Sequence, residues 1–326
     1  MKKILVTGGA GYIGSHIVEQ LIKLKKKVII IDNLSTGHKR LINKKALFFN
    51  CDIKNFKKLN KIISKYHFDS IFHLAACLSV EEAEKKPTKY YNNNVIGTKN
   101  IINVCKKNQI KNLIFSSSCA VYKDKIQQVN EKSKLKPKGI YGNSKFLAEK
   151  LIIKELYKTK IKYAILRYFN VAGASESGKI GQITRGDQLF KNLSLASIKK
   201  KPKIYIYGNN YKTKDKTCVR DYIHVSDIAK IHLLTLSRIK KLKKSIILNC
   251  GYGKGVSVLE AVNEFQNQIK KNILIKYKKR RKGDMEKIIS NNSRIKNFLK
   301  WSPPKNPLRI IVKSCINWEK KISKQY

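Results

Sequence analysis

Acidic side chains are scarce: 21 Asp and Glu stand against 71 Lys and Arg, a formal charge of +50 over 326 residues. Such a field attracts polyanions and puts nucleic acid first among the partners to consider. The basic residues, however, run the whole length (KLKKK at 23–27, KKKPK at 199–203, KKLKK at 240–244, KYKKRRK at 276–282) instead of gathering on one tail or helix. No aromatic-plus-basic module of the kind that reads bases accompanies them. No dedicated nucleic-acid partner is therefore expected, and the surplus reads, with the abundant Ile and Asn, as codon bias. Cysteine pairs are missing as well. Cys51, Cys77, Cys105, Cys119, Cys218, Cys250 and Cys315 stand singly, which argues against a disulfide framework or a zinc site, so reduced thiols and no metal are expected. No stretch approaches the roughly 20 apolar residues of a membrane span. The opening MKKILVTGG runs into a glycine turn without the apolar block and cleavage site of a signal peptide, so a cytoplasmic protein with no membrane contact is expected. Of six prolines, three crowd WSPPKNP (301–307), the density of a terminal loop before a last helix.

What is present is a globular chain, 42% hydrophobic, long enough for one large or two modest domains. Short apolar runs alternate with helical stretches through the first half: KILVTGG, VIIIDN (28–33), ALFFNCDI (46–53), SIFHLAA (70–76), NLIFSSS (112–118) and KYAILRYFN (162–170). Continuous apolar strands separated by helices predict an α/β fold, a Rossmann-like doubly wound parallel sheet buried on both faces. The helix after the first glycine turn should pack Ile17, Leu21 and Leu24 on one side. After Asn170 the rhythm loosens, and SVLEAVNEFQNQIKK (257–271) is an amphipathic helix of a second part. The expected organisation is a nucleotide-binding domain over 1–170, to which the chain returns around 217–240, and a smaller C-terminal α/β substrate domain over 171–326. An active site between the two is expected.

GGAGYIG places Gly8, Gly11 and Gly14 in a GxxGxxG spacing directly after a strand and at the opening of a helix. Glycine allows the tight turn and the close approach of a phosphate, and the helix N-terminus supplies partial positive charge for a pyrophosphate. Asp32 ends the second strand 18 residues beyond Gly14, where an acid bonds ribose hydroxyls and repels a 2'-phosphate. NAD rather than NADP is the cofactor this predicts. Asp52, closing the third run, is placed to bond the adenine amine.

In GIYGNSKF (139–146), Tyr141 and Lys145 are four apart at the start of a helix, so both face one way. A phenol of pKa about 10 is no base near neutral pH, and a nearby cation is expected to favour its ionised form. Ser118 falls at the carboxyl end of the fifth strand, where open parallel sheets bind ligands, and its hydroxyl could reach both the phenol and a substrate oxygen.

Ser, Tyr and Lys in that order after GxxGxxG, together with TGGAGYIGSH, IDNLSTG, YYNNNVIGT, FSSSCAVY, YGNSK, LRYFNVAGA, KTCVRDYIHVSD (216–227), LNCGYGKGVSV and RRKGD (280–284), resemble the extended short-chain dehydrogenase/reductase superfamily. Within it the chain is most similar to the UDP-glucose 4-epimerases, over nearly its whole length. The resemblance implies NAD contacts at Gly8, Gly11, Tyr12, Ile13, Gly14, Asp32, Asn33, Asp52, Ile53, Asn94, Tyr141, Lys145 and Phe169, with Leu74, Ala75 and Ala76 at a strand end. It implies a catalytic set of Ser118, Tyr141 and Lys145. Asn170, Leu189, Tyr207, Arg220, Arg281 and Asp284, with Ser118, would hold a UDP-hexose. The implied reaction removes hydride from sugar C4 and returns it to the opposite face, so that UDP-galactose and UDP-glucose interconvert through a 4-keto sugar.

The chain departs from such relatives in carrying Ile140 where many have proline, Leu78 where some have lysine, Gln188 before Leu189, a shortened 171–189 loop, and Ile288 where a tyrosine can wall the sugar pocket. That last change could admit an N-acetyl group, and a 4-epimerase acting on UDP-N-acetylglucosamine or UDP-glucuronate is the alternative reading. A 4,6-dehydratase is disfavoured because Cys119 and Ala120 follow Ser118 in place of an acid pair. A non-catalytic polyanion-binding protein would not keep all three catalytic residues. The resemblance also implies a homodimer through two helices, around NNNVIGTKNIINVCKKN and residues 144–158.

Overall fold

The computed structural model describes residues 3–123, 127–184, 186, 188–242, 244–281 and 284–324. Two compact units interleave along the chain: one comprises Met1–Tyr122, Lys134–Tyr168 and Ile228–Leu248, the other Lys123–Ser133, Phe169–Asp227 and Asn249–Tyr326.

The first unit is built on a seven-stranded sheet: β1 (Lys3–Thr7), β2 (Lys27–Asp32), β3 (Leu47–Asn50), β4 (Phe68–His73), β5 (Asn112–Ser118), β6 (Lys162–Tyr168) and β7 (Ile246–Cys250). Their spatial order is β3-β2-β1-β4-β5-β6-β7. Pairing is parallel from β3 across to β6. The chain leaves β1 toward β2 on one side and later resumes with β4 on the other, which makes the carboxyl ends of β1 and β4 the switch point where such sheets bind ligands. Every residue of β4 is buried, as a strand covered on both faces must be.

Local signals set the helix ends. The helix Tyr12–Lys23 starts after extended Gly11 and stops before Lys25, whose φ is 54°. Ile17 and Leu21 are buried, but Leu24 lies beyond the last turn and is 57% exposed, so it does not join them on the packed face. Asn55 caps Phe56–Tyr66 by accepting from the Lys58 amide, and left-handed His67 ends it.

In the second unit the central strand is Val219–His224. It pairs antiparallel with Gly255–Ser257, and parallel with Lys287–Ser290 and Asn170–Ala172. Residues 123–133 belong to this unit because Gln128–Val129 extend the sheet alongside Ile289 and Ser290. A separate two-stranded ribbon joins Lys203–Tyr207 to Leu274–Lys278. Ser257 and Glu260 form a capping box at the head of helix Val258–Ile269, the pattern that satisfies two orphan amides reciprocally. A buried ion pair of 2.7 Å between Lys191 and Glu319 ties helix Leu189–Ser197 to the last helix, Pro307–Ser323.

Candidate active site

At the switch point, Gly8 has φ 73°, and a Cβ there would come within 2.7 Å of the Ala75 backbone nitrogen. No other residue fits that turn without displacing the chain after β4, so β1 and residues 74–75 close into a narrow cradle. Gly11 and Gly14 then open the helix, with Tyr12 and Ile13 half-buried between them. Asp32, at the end of β2, accepts from the Ala10 amide at 3.0 Å and the Leu34 amide at 2.8 Å, so the same carboxylate that ends the strand also holds the glycine turn. Burial pushes its pKa up, and those two amide bonds pull it back down. Asn33 donates to Asp52 at 3.1 Å, bringing the two predicted contacts together. Ile53, also predicted, packs against Gly97. A dinucleotide fits this cradle: bare backbone at the turn, a helix N-terminus behind it and an acid at the next strand end.

Asn94 is buried, and its amide is engaged with the chain. It accepts from the Cys77 amide at 2.8 Å and donates to the Cys77 carbonyl and to the Ser144 hydroxyl. Beneath it, His73 is held neutral by burial, its pKa pushed down to about 3. Its two ring nitrogens meet Thr7 at 2.8 Å and Thr98 at 3.0 Å.

The helix Ile140–Leu156 carries Tyr141 and Lys145 toward the end of β5. Gly142 makes this approach close, since a Cβ there would sit 2.5 Å from the Ala120 carbonyl. The Tyr141 hydroxyl faces that of Ser118, whose oxygen accepts from the Ala120 amide at 3.2 Å. Lys145 donates to the Ser116 carbonyl at 2.8 Å and lies over the Phe115 ring. The missing proline at 140 has a compensation: the Ile140 amide, which a proline would not have, donates to Glu84 at 2.9 Å.

The electrostatics differ from the sequence expectation in one respect. Burial pushes Tyr141 up to about 12, and the Ser118 hydroxyl only partly opposes it. Lys145, with its amine drawn to the Ser116 carbonyl, is itself pushed down to about 8 by burial, which Glu149 and Cys77 oppose. The expectation that Lys145 lowers the phenol therefore does not hold for the chain's own groups, because desolvation outweighs the charge one turn away.

Sequence reasoning overlooked the layer below. Ser117 donates to Glu149 at 2.5 Å, and Arg167 grips the same carboxylate through Nε and Nη2 at 3.0 and 2.7 Å. Arg167 also donates to the Tyr122 hydroxyl at 3.0 Å. The signal was there in Tyr141, Lys145 and Glu149 at i, i+4 and i+8, and in a single arginine inside the apolar strand KYAILRYFN.

The second unit gathers most of the predicted nucleotide-sugar residues within itself. Arg281 stacks on the Tyr207 ring at 3.9 Å, and Arg220 meets Asp284 at 3.4 Å. Strand alternation presents Arg220 while burying Asp221, which accepts from the Tyr252, Gly253 and Ser290 amides. Asn170 lies beside Tyr222, Phe169 is buried and donates its amide to the Cys250 carbonyl, and Leu189 begins the helix anchored by Lys191. Ile288 is buried beside Arg220 in the sheet. Lys282 and Gly283 of RRKGD, and Arg185 and Asp187 of the 171–189 loop, lie outside the described residues.

A glycine cradle at the switch point, with a serine facing a tyrosine at the end of β5, defines a dinucleotide-dependent enzyme of the short-chain type. The NAD dependent epimerase/dehydratase family matches residues 4–251, and the chain belongs to that family. Its relatives there are UDP-glucose 4-epimerases: that of Haemophilus influenzae is 39% identical over 338 residues, covering 99% of each chain. The solved UDP-glucose-4-epimerase of Stenotrophomonas maltophila, with bound NAD and formylated UDP-arabinopyranose, superposes with a TM-score of 0.95 at 29% identity over the whole of both chains. The UDP-Glc/GlcNAc 4-epimerase of Campylobacter jejuni is 37% identical, with a TM-score of 0.85 over 98% of this chain and all of the other.

Proposed function

We propose that this chain is a UDP-glucose 4-epimerase, interconverting UDP-galactose and UDP-glucose with NAD. The observation that carries the reading is the placement of Tyr141 and Lys145 on one face of a helix, against Ser118 and Ser116 at the end of β5. Tyr141 takes the proton of the sugar 4-hydroxyl and later restores it. Ser118 bonds the same oxygen and carries the proton between hydroxyl and phenol. Gly8, Gly11, Gly14 and Asp32 would hold NAD, which when bound would supply hydride chemistry at C4 and a positive charge that would draw the phenol back from about 12. Lys145 orients the nicotinamide ribose side of the site and keeps a positive charge beneath it. Arg281 and Arg220 grip the diphosphate in pairs, with Asn170, Leu189, Tyr207 and Asp284 around the uridine, so that a 4-keto sugar can turn without leaving. The side chains after Ser118, Cys119 and Ala120, offer no acid for water elimination, which supports an epimerase over a dehydratase.

Acceptance of N-acetylated hexosamine is a second reading, supported by Ile288 in place of a larger aromatic and by the dual-specificity relative from Campylobacter jejuni. A homodimer through helices Gly97–Lys107 and Ile140–Leu156 belongs to the same proposal, as does a cytoplasmic setting, supported by free thiols throughout. The test is incubation of purified protein with UDP-galactose and no added cofactor: UDP-glucose should appear, and UDP-N-acetylglucosamine should be tried alongside. Tyr141→Phe should retain NAD and lose turnover by about 10³-fold, within the range of general acid–base contributions. Undiminished turnover in that variant removes the assigned base.

A further inference from the structure

The end of β5 and the catalytic helix are matched residue for residue. Ser118 faces Tyr141, the Ser116 carbonyl takes Lys145 at 2.8 Å, and the Ser117 hydroxyl donates to Glu149 at 2.5 Å. Three successive strand residues thus engage three helix residues spaced one turn apart. Glu149 and Arg167 are 1% and 2% exposed in their side chains, and the guanidinium holds the carboxylate from β6 with two bonds. A buried ion pair is rarely worth its desolvation as a source of stability, and an apolar pair of equal volume often does as well. Its retention here calls for a second reason, and its position supplies one.

We propose that Glu149 is a positioning residue for the reaction. Clamped by Arg167 and Ser117, it fixes the helix on the end of β5 so that Tyr141 and Lys145 meet Ser118 and Ser116, and it sets a negative charge one turn from the Lys145 ammonium. The groups facing that ammonium are His73 from β4, Cys77 from the segment after it, the Ser116 carbonyl and Phe115 ring from β5, and Glu149 from its own helix. His73 is neutral, so Glu149 is the carboxylate acting on Lys145, and it opposes the burial that pushes the amine down to about 8.

The inference rests on the epimerase reading for its kinetic arm and stands without it for its spectroscopic arm. Glu149→Gln keeps the shape and removes the charge. Because it leaves the buried Arg167 guanidinium without its carboxylate, Glu149→Gln/Arg167→Met is made beside it. In NAD-bound protein with isotope-labelled lysine, the Lys145 side-chain resonance is assigned by its loss in Lys145→Met and followed against pH. The double variant should show that resonance titrating about one pH unit lower, the expected direction when a neighbouring anion is removed. Its kcat on UDP-galactose should fall about tenfold, with KM within twofold, and activity should fade at correspondingly lower pH. Glu149→Asp, which keeps the charge, should hold the titration near that of the parent. A folded double variant with parental titration and kcat overturns the proposal, and so does a double variant that does not fold. Absence of epimerase turnover in the parent would sink the functional reading alone, leaving the lysine titration to decide this one.

Discussion

The candidate site residues of the two units handle charge in opposite ways. In the first, Lys145, Asp32, Asn94, Glu149 and Arg167 are all buried, and each is tied to backbone or to a partner. In the second, the residues assigned to the nucleotide sugar lean on one another nearer the surface. The Arg220 and Asp284 side chains are 12% and 30% exposed, and Arg281 rests on an aromatic face. Buried charge keeps its geometry and its altered pKa, as proton and hydride chemistry requires. Partly exposed guanidinium groups exchange partners more readily and suit a diphosphate that must arrive and depart.

Acid should break this contrast most strongly. His73 and His232 both lie in the first unit, their pKa values pushed down by burial to about 3 and about 4 from an unfolded value near 6.5. Between those values the unfolded chain holds protons that the native state refuses. Stability should therefore fall as pH drops from 6.5 toward 4, by about 1.4 kcal/mol per pH unit for each histidine. Urea titrations across that range would read the slope, and His73→Asn should halve it. Next in size is Gly8→Ala, which forces a Cβ onto the Ala75 backbone in a left-handed turn. Bound NAD should weaken about 100-fold, roughly the 1–3 kcal/mol of a strained backbone position, read as cofactor released after gel filtration. The smallest effect belongs to the second unit: Arg281→Ala should raise KM for UDP-galactose about tenfold with kcat nearly unchanged, the loss of one charge-assisted contact. A fall in kcat with KM constant would move Arg281 into the chemistry and erase the contrast between the units.

Much of the first unit was legible because its signals are local. Strand runs, the glycine turn, Asp32 at a strand end and the i, i+4 pair of Tyr141 and Lys145 each occupy a few consecutive residues, and periodicity or turn chemistry reads them directly. Leu24 was misplaced because the packing stripe was carried one residue past the helix end. Glu149 stands on a helix rich in lysine, and only the distant Arg167 makes it a buried partner. Gln128–Val129 is too short to announce itself as a strand; its partner Lys287–Ser290 lies more than 150 residues on.

By itself the sequence determined most of the order of strands and helices, the glycine turn of a dinucleotide cradle and the shared face of Tyr141 and Lys145, since these follow from spacing along one backbone. Tertiary structure alone decided the ionisation of those residues and the company they keep. It turned Lys145 to the Ser116 carbonyl, joined Glu149 to Arg167 and raised the Tyr141 phenol. The physical reason is that desolvation and pairing depend on which distant segments exclude water from a group, and no local pattern carries that information.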